Sequence, residues 1–405
     1  MIDIQLDRNT IILIVLVILL VCSLVNTSSE EEGMVNISPL NEPTWNRNKC
    51  NYYMNKTMQK MINKDSLFQD NSDWNIYFPC AYDDINKEIY EMPVKENARY
   101  FIIDNADQIT AKQLLWSNIV RHHGLEKAKL MSPETFILSK PEDVKRMKNQ
   151  HNPESIYILK RNVQRQEGLK ITNDINEIIA NNPKSKTGYI LAQELQQNPY
   201  TIDGRKINMR VYVLVTCQNS NMDIYVYNNG FMYYTKEKFV KGSVEAGPNI
   251  TTGYIDREVY EVNPLTHADF RKYLDKEDRK LETSAEKNMK KQGLSISNVT
   301  FNRIKKLIAD IFVSFRGKIC RPGKKLCQNI TYQLFGADIA LDRDLQPSIM
   351  EINKGPDLSP KDERDGTVKY NVMKDTHKIL GAFHNEDNGF DKVLDIEGEK
   401  ITYIS

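Results

Sequence analysis

The sequence predicts an α+β fold of mixed sheets packed by helices, preceded by an N-terminal transmembrane helix. Three observations predict it. Short runs rich in β-branched and aromatic residues recur along the chain and read as strands. Between them lie segments with apolar residues at helical spacing. Near the start, TIILIVLVILLVCSLV is almost unbroken in its apolarity. With 405 residues, 40% hydrophobic and 27% charged, the chain is long enough for two or three lobes. The formal net charge of +1 supplies no global basic field, so nucleic acid is not an expected partner.

Taken in order, residues 1–28 carry the apolar run Thr10 to Val25, flanked by Arg8 and by Glu30, Glu31 and Glu32. The expectation is a single-pass N-terminal anchor with the membrane as partner. Its length, about 16 residues against the usual 17 to 25, leaves a cleaved signal as the alternative, which would make the protein secreted or lumenal. Residues 29–98 read as a polar linker and a small N-terminal region. RYFIID (Arg99 to Asp104) reads as a buried strand, and ITAKQLLWSNIVRHHG as an amphipathic helix with Leu114, Leu115 and Ile119 inward, ended by Gly124. SIYILK, GYILAQEL, NMRVYVLVTC and DIYVYNNG are strands, the last two a hairpin around QNSNM. His267 to Gln292 is charged and helical. Val299 to Phe315 is an amphipathic helix with Ile304, Leu307, Ile308, Ile311, Phe312 and Phe315 on one stripe. YQLFGADIALD and QPSIMEIN are strands joined by a short RDL turn, and residues 386–405 form a tail.

Six cysteines include Cys22 in the apolar run. No CxxC or Cys/His spacing suggests structural zinc. Cys320 and Cys327 flank the turn-like RPGKKL and could bridge, although buried free thiols are the preferred reading.

The polar exceptions on otherwise apolar strands are where chemistry is expected, because a buried charge is costly unless paired or bound to metal. In IMEIN, Glu351 and Asn353 share a face, since the side-chain period of a strand is two. In FGADIALD, Asp338 opposes the face of Phe335, Ala337 and Ile339. If these strands pair, three oxygen ligands converge, which outlines a Mg²⁺ site completed by phosphate and water. An exposed polar sheet face is the alternative on spacing alone. Lys160 ends YILK and is followed by RNVQRQEGLK with its single Gly168, a segment suited to phosphate contact. ILAQEL presents Gln193, Glu194 and Leu195, whose amides could read an adenine edge. Lys206 and Arg210, four apart on a strand, face the same way. Cations for phosphate beside oxygens for metal describe a nucleotide site.

At this point the chain resembles the tubulin tyrosine ligase-like family, whose fold is of the ATP-grasp type. The resemblance covers roughly Tyr100 to Gly381, within a domain expected over residues 99–385, and rests on ordered blocks: MSPETFIL, YILKRN with EGLKI, ILAQELQQNPYTIDGRKINMRVYVLV, YVYNNGFMYYT and QLFGADIALDRDLQPSIMEINKGPDLSP. It implies an ATP- and Mg²⁺-dependent carboxylate-amine ligase that joins a free amino acid to a protein carboxylate, typically on an acidic tail such as that of tubulin, through an acyl phosphate. Lys160, Gly168 and Lys206 would then lie at the phosphates and Gln193, Glu194 and Leu195 at the adenine. Arg210, with Lys206, would serve the reacting acyl phosphate, and Asp338, Glu351 and Asn353 would hold Mg²⁺. Three positions depart from the family pattern. Asn208, within the nucleotide-binding set, stands where Asp is usual; Tyr233 stands where many relatives carry Arg; Ile250 to Gly253 replaces a Leu-Thr-Asn element. They bear on which amino acid is joined, and they motivate the alternative of a catalytically impaired nucleotide- or tail-binding module.

Overall fold

A computed structural model describes residues 35, 37–41, 43–45, 69–70, 73–79, 85–161, 168–181, 183–185, 188–253, 255–383 and 387–404. The elements that frame the site are β1 (Arg99–Tyr100), α1 (Lys112–His123), β2 (Thr135–Ile137), β3 (Tyr157–Lys160), β4 (Leu169–Thr172), β5 (Leu191–Glu194), β6 (Arg205–Gln218), β7 (Asn221–Thr235), α2 (His267–Asp275), α3 (Ile296–Val313), β8 (Ile330–Leu341), β9 (Pro347–Asn353), α4 (Glu363–Ile379), β10 (Phe390–Glu397) and β11 (Lys400–Tyr403).

They form two sheets. The larger, of twelve strands, runs β11-β10-β7-β6-β8-β1 and continues into short N-terminal strands, with β9 paired to the outer edge of β8. β6 and β8 are almost continuously buried, as strands in the middle of a covered sheet must be. The smaller sheet, β2-β5-β3-β4, is antiparallel throughout. Each has its own core: Phe136, Tyr157, Leu159 and Ala192 under the small sheet, and a much larger cluster around β6, β7, β8 and α3.

The β6–β7 hairpin turns on Asn219 and Ser220, both with positive φ (51° and 72°). That is the two-residue turn whose twist matches paired strands, and Asn tolerates it because its short polar side chain adapts to the left-handed region. α3 lays its stripe against β7, β9 and β10, burying Ile304, Leu307, Ile308, Ile311 and Phe312. Each such side chain stabilises by roughly 1.5–3 kcal/mol.

Several expectations shift. The helix expected from Ile109 breaks at Ala111, whose extended backbone separates Asp107–Thr110 from α1. Only Arg99 and Tyr100 of RYFIID pair in the sheet; Ile103 N–H is met instead by the Gln333 side chain at 3.2 Å. The charged stretch from His267 is two helices, each opened by a capping box at Thr266 and Thr283. Phe390 to Tyr403 adds a hairpin to the sheet edge. Cys320 bonds Cys217 rather than Cys327, which stays free, so the preference for free thiols is corrected at those two positions.

The N-terminal transmembrane helix is also corrected. Thr10 to Val25 lies outside the described residues, and among the described residues no helix is long and apolar enough to cross a membrane. A helix of about 16 residues would in any case span about 24 Å, short of a ~30 Å hydrocarbon core. The fold class is the mixed α+β alone. The single-pass membrane localisation and the membrane as partner are withdrawn with the helix.

Candidate active site

Strand register assembles the site. β8 and β9 place Asp338 opposite Glu351 and Gly336 opposite Asn353. On the other side of β8, β6 places Arg210 opposite Asp338 and Asn208 opposite Ala340. Residues directly opposite one another share a face, so Glu351, Asp338 and Arg210 line up across three strands. The Arg210 guanidinium donates to both Asp338 oxygens, Nε to Oδ1 at 2.6 Å and Nη2 to Oδ2 at 3.1 Å. Such two-point pairing fixes orientation as well as charge. Asn353 Nδ2 donates to Glu351 Oε1 at 3.2 Å and to Asp338 Oδ2 at 3.5 Å. Gly336 makes this possible: a Cβ there would lie 3.0 Å from Arg210 Cδ and 3.0 Å from Pro356 Cβ.

The small sheet supplies the opposing cation. Lys160 Nζ donates to Gln193 Oε1 at 2.7 Å, and Gln193 Nε2 donates to Thr135 Oγ1 at 2.9 Å. Burial pulls the Lys160 ammonium down to about 8, with Lys112 acting the same way and Glu351 and Asp338 opposing. Lys206, on the β6 face shared with Asn208 and Arg210, is drawn down to about 8 by burial and by Lys160. Burial would raise the Glu351 carboxyl, but Lys160, Lys112, Asn353 and Arg210 together hold it below its usual range. Asp338 is pushed up by burial and by Glu351, against the pull of Arg210. The pair is thus kept unequal, with Glu351 the firmer anion.

These features fit the expected ligands. Two desolvated ammonium groups, with Lys160 depressing Lys206, call for an anion, as triphosphate would supply. Two carboxylates and a carboxamide are the hard oxygen donors Mg²⁺ takes alongside phosphate and water. No cluster of three His, Cys, Asp or Glu side chains suited to a metal occurs among the described residues, so the metal would lean on the Asn353 amide and on phosphate. The Asn208 side-chain oxygen is buried with no hydrogen-bond partner among the described residues, leaving one acceptor on this face for a ligand.

Other expected residues fall less simply. Glu194 N–H donates to Glu134 O and Leu195 N–H to Ile156 O, both at 2.9 Å. Those amides are already engaged, which leaves carbonyls and side chains for a base edge. Gly168, at φ 74°, closes the segment after β3, where residues 162–167 lie outside the described residues. Lys112, which bears on both Lys160 and Glu351, opens α1. Nothing in its helical context distinguished it from a surface cation. Tyr233 pairs in register with Asn208 and sets its ring 5.4 Å from the Arg210 guanidinium. Gly253 lies against Tyr233 in turn.

The model of the tubulin-tyrosine ligase family matches residues 95–387. Similar curated proteins include the probable beta-tubulin polyglutamylase of Tetrahymena thermophila, 25% identical over 62% of this chain. The tubulin polyglutamylase TTLL6 of Mus musculus is 25% identical over 83% of it, and the human tubulin monoglutamylase TTLL4 is 24% identical over 71%. The chain spans only 21%, 39% and 24% of those three proteins.

Proposed function

Because the chain belongs to the tubulin-tyrosine ligase family, we propose that it is an ATP- and Mg²⁺-dependent, ADP-forming ligase that adds glutamate to a carboxylate on an acidic protein tail such as that of tubulin. The choice of glutamate and of a tubulin tail rests on the relatives, which are named for tubulin glutamylation. The observation that carries the chemistry is the pair of buried ammonium groups, Lys160 and Lys206, set against the Glu351–Asp338–Arg210 row.

In this reading Asp338, Glu351 and Asn353 hold Mg²⁺, which supplies charge neutralisation to the phosphates when bound. Lys160 and Lys206 take up phosphate charge, and Gln193, Glu194, Leu195 and Asn208 seat the nucleotide. A carboxylate is a poor electrophile until phosphorylated, so the acceptor carboxylate takes the terminal phosphoryl group and ADP departs. Arg210, locked by Asp338, faces the charge that develops on the acyl phosphate. The donor amine then attacks the acyl carbon, an amide bond forms, phosphate leaves with the C–O electron pair, and the amine gives up a proton. The barrier falls through positioning and charge stabilisation rather than protein covalent chemistry.

The test is incubation with ATP, Mg²⁺, labelled amino acids and acidic tail peptides, read by mass spectrometry and ADP release. Glutamate adducts with matching ADP support the reading. The packing of Tyr233 against Arg210 favours one second reading, a module that binds nucleotide without transfer. Nucleotide binding with neither ADP nor adduct would establish it and overturn the ligase.

A further inference from the structure

We propose that the cavity over Arg99, at the end of the large sheet away from the reaction centre, binds a small oxyanion, a carboxylate or phosphate group. This holds whether or not the chain is a ligase. The cavity measures about 310 Å³; Ala98, Arg99, Asn329 and Ile330 are its buried residues, and exposed Asn97, Asn219 and Gln328 stand at its rim. Arg99 opens β1 and is only 2% exposed. Its guanidinium donates solely to backbone carbonyls: Nε to Leu380 O at 3.3 Å, Nη1 to Asn97 O and Nη2 to Ser38 O. Among the described residues no carboxylate pairs with it, and none lines the cavity.

A guanidinium carries five N–H donors in one plane. Three are taken, which leaves one on each terminal nitrogen. Donors on both terminal nitrogens suit two oxygens of one carboxylate or phosphate. Ser38 and Asn97, whose carbonyls receive two of the bonds, themselves line the cavity, so the guanidinium lies at its wall. A buried charge is costly unless a counter-charge meets it. Burial lowers the Arg99 pKa, with only Tyr332 acting the other way. Carbonyls answer the hydrogen bonds of Arg99 but not its charge, which an anion would. The carboxamides of Asn97, Asn219 and Gln328 have no hydrogen-bond partner among the described residues and supply further N–H donors at the mouth. Gln218, also in the wall, ends β6 eight residues beyond Arg210, about 27 Å along the strand. An anion held here is therefore separate from the phosphates of a nucleotide at Lys160 and Lys206.

The test is calorimetric titration of the full chain with inorganic phosphate and, separately, with citrate, at fixed ionic strength. At least one should bind, and which of them does so identifies the group. Gln328→Glu places a carboxylate on the exposed rim, where it competes for Arg99; it should weaken binding about tenfold or more with the thermal midpoint retained. Arg99→Gln should weaken it as much. Because Arg99 also ties Ser38, Asn97 and Leu380 together, that variant can fail to fold, and the rim variant then decides. Lys160→Met, in the nucleotide site, should bind the anion as wild type does. Binding of neither anion, full affinity in folded Gln328→Glu, or loss of binding in Lys160→Met would overturn the site.

Discussion

Lys160 and Lys206 sit in the site as cations that burial disfavours, and this has a measurable pH signature. Both have folded pKa values near 8 against an ordinary 10.5. Between those values the unfolded chain holds protons that the native state has released, so stability rises with pH across that window, while below 8 the full cost persists. Replacing Lys160 by Met removes the cost but orphans Gln193 Oε1. The variant should be more stable at pH 7 by on the order of 1–2 kcal/mol, with the difference shrinking from about pH 8 upward and nucleotide affinity lost. Thermal melts across pH with nucleotide titration check this; a gap that ignores pH would contradict a desolvated cation. Glu351→Gln should cut ADP release by at least about a hundredfold without unfolding the chain, measured by coupled assay and circular dichroism. Glu351 and Asn353 were legible in the sequence because a period of two places them on one face. Lys112 was not, since it acts on groups that only tertiary folding brings near.

At the scale of elements, the β8–β9 pair shows why one glycine matters. A methyl group at Gly336 would meet Arg210 and Pro356 at 3.0 Å, so Gly336→Ala should tilt the guanidinium off Asp338. The expected result is activity reduced by about tenfold or more with a stability loss of only about 1–3 kcal/mol, read by ADP release and urea unfolding. The Cys217–Cys320 bond ties the end of β6 to the loop after α3, closing a separation of 103 residues. Reducing it should cost about 2–5 kcal/mol in urea unfolding. Activity should hardly change, because Cys217 lies seven residues along the strand from Arg210, about 24 Å. The Asn219–Ser220 turn was readable from its residue types and the strands around it. The disulfide was not, because no local spacing joins residues so far apart, and RPGKKL drew attention to Cys327 instead. The edge hairpin from Phe390 was missed for a related reason: its alternation Phe390, Val393, Leu394, Ile396 is irregular, and only pairing with β7 orders it.

Across the whole molecule, the strand and helix patterns carried the α+β class, and the ordered blocks carried the family. What they left out was how the small sheet faces the large one. That relation puts Lys160 within the electrostatic reach of Glu351 and turns separate polar exceptions into one site. The apolar N-terminal run was read by composition alone, and no described element carries a spanning helix. The central claim is that these two sheets enclose a ligase site. Its most direct test is a single reaction of the wild-type chain with ATP, Mg²⁺, glutamate and a glutamate-rich tubulin tail peptide, followed by mass spectrometry with ADP quantified in parallel. The account predicts peptide gaining whole glutamate residues with one ADP per residue added, both abolished by Glu351→Gln and by chelation of Mg²⁺. Peptide unchanged in mass with no ADP formed, or adducts that persist in Glu351→Gln, would contradict it.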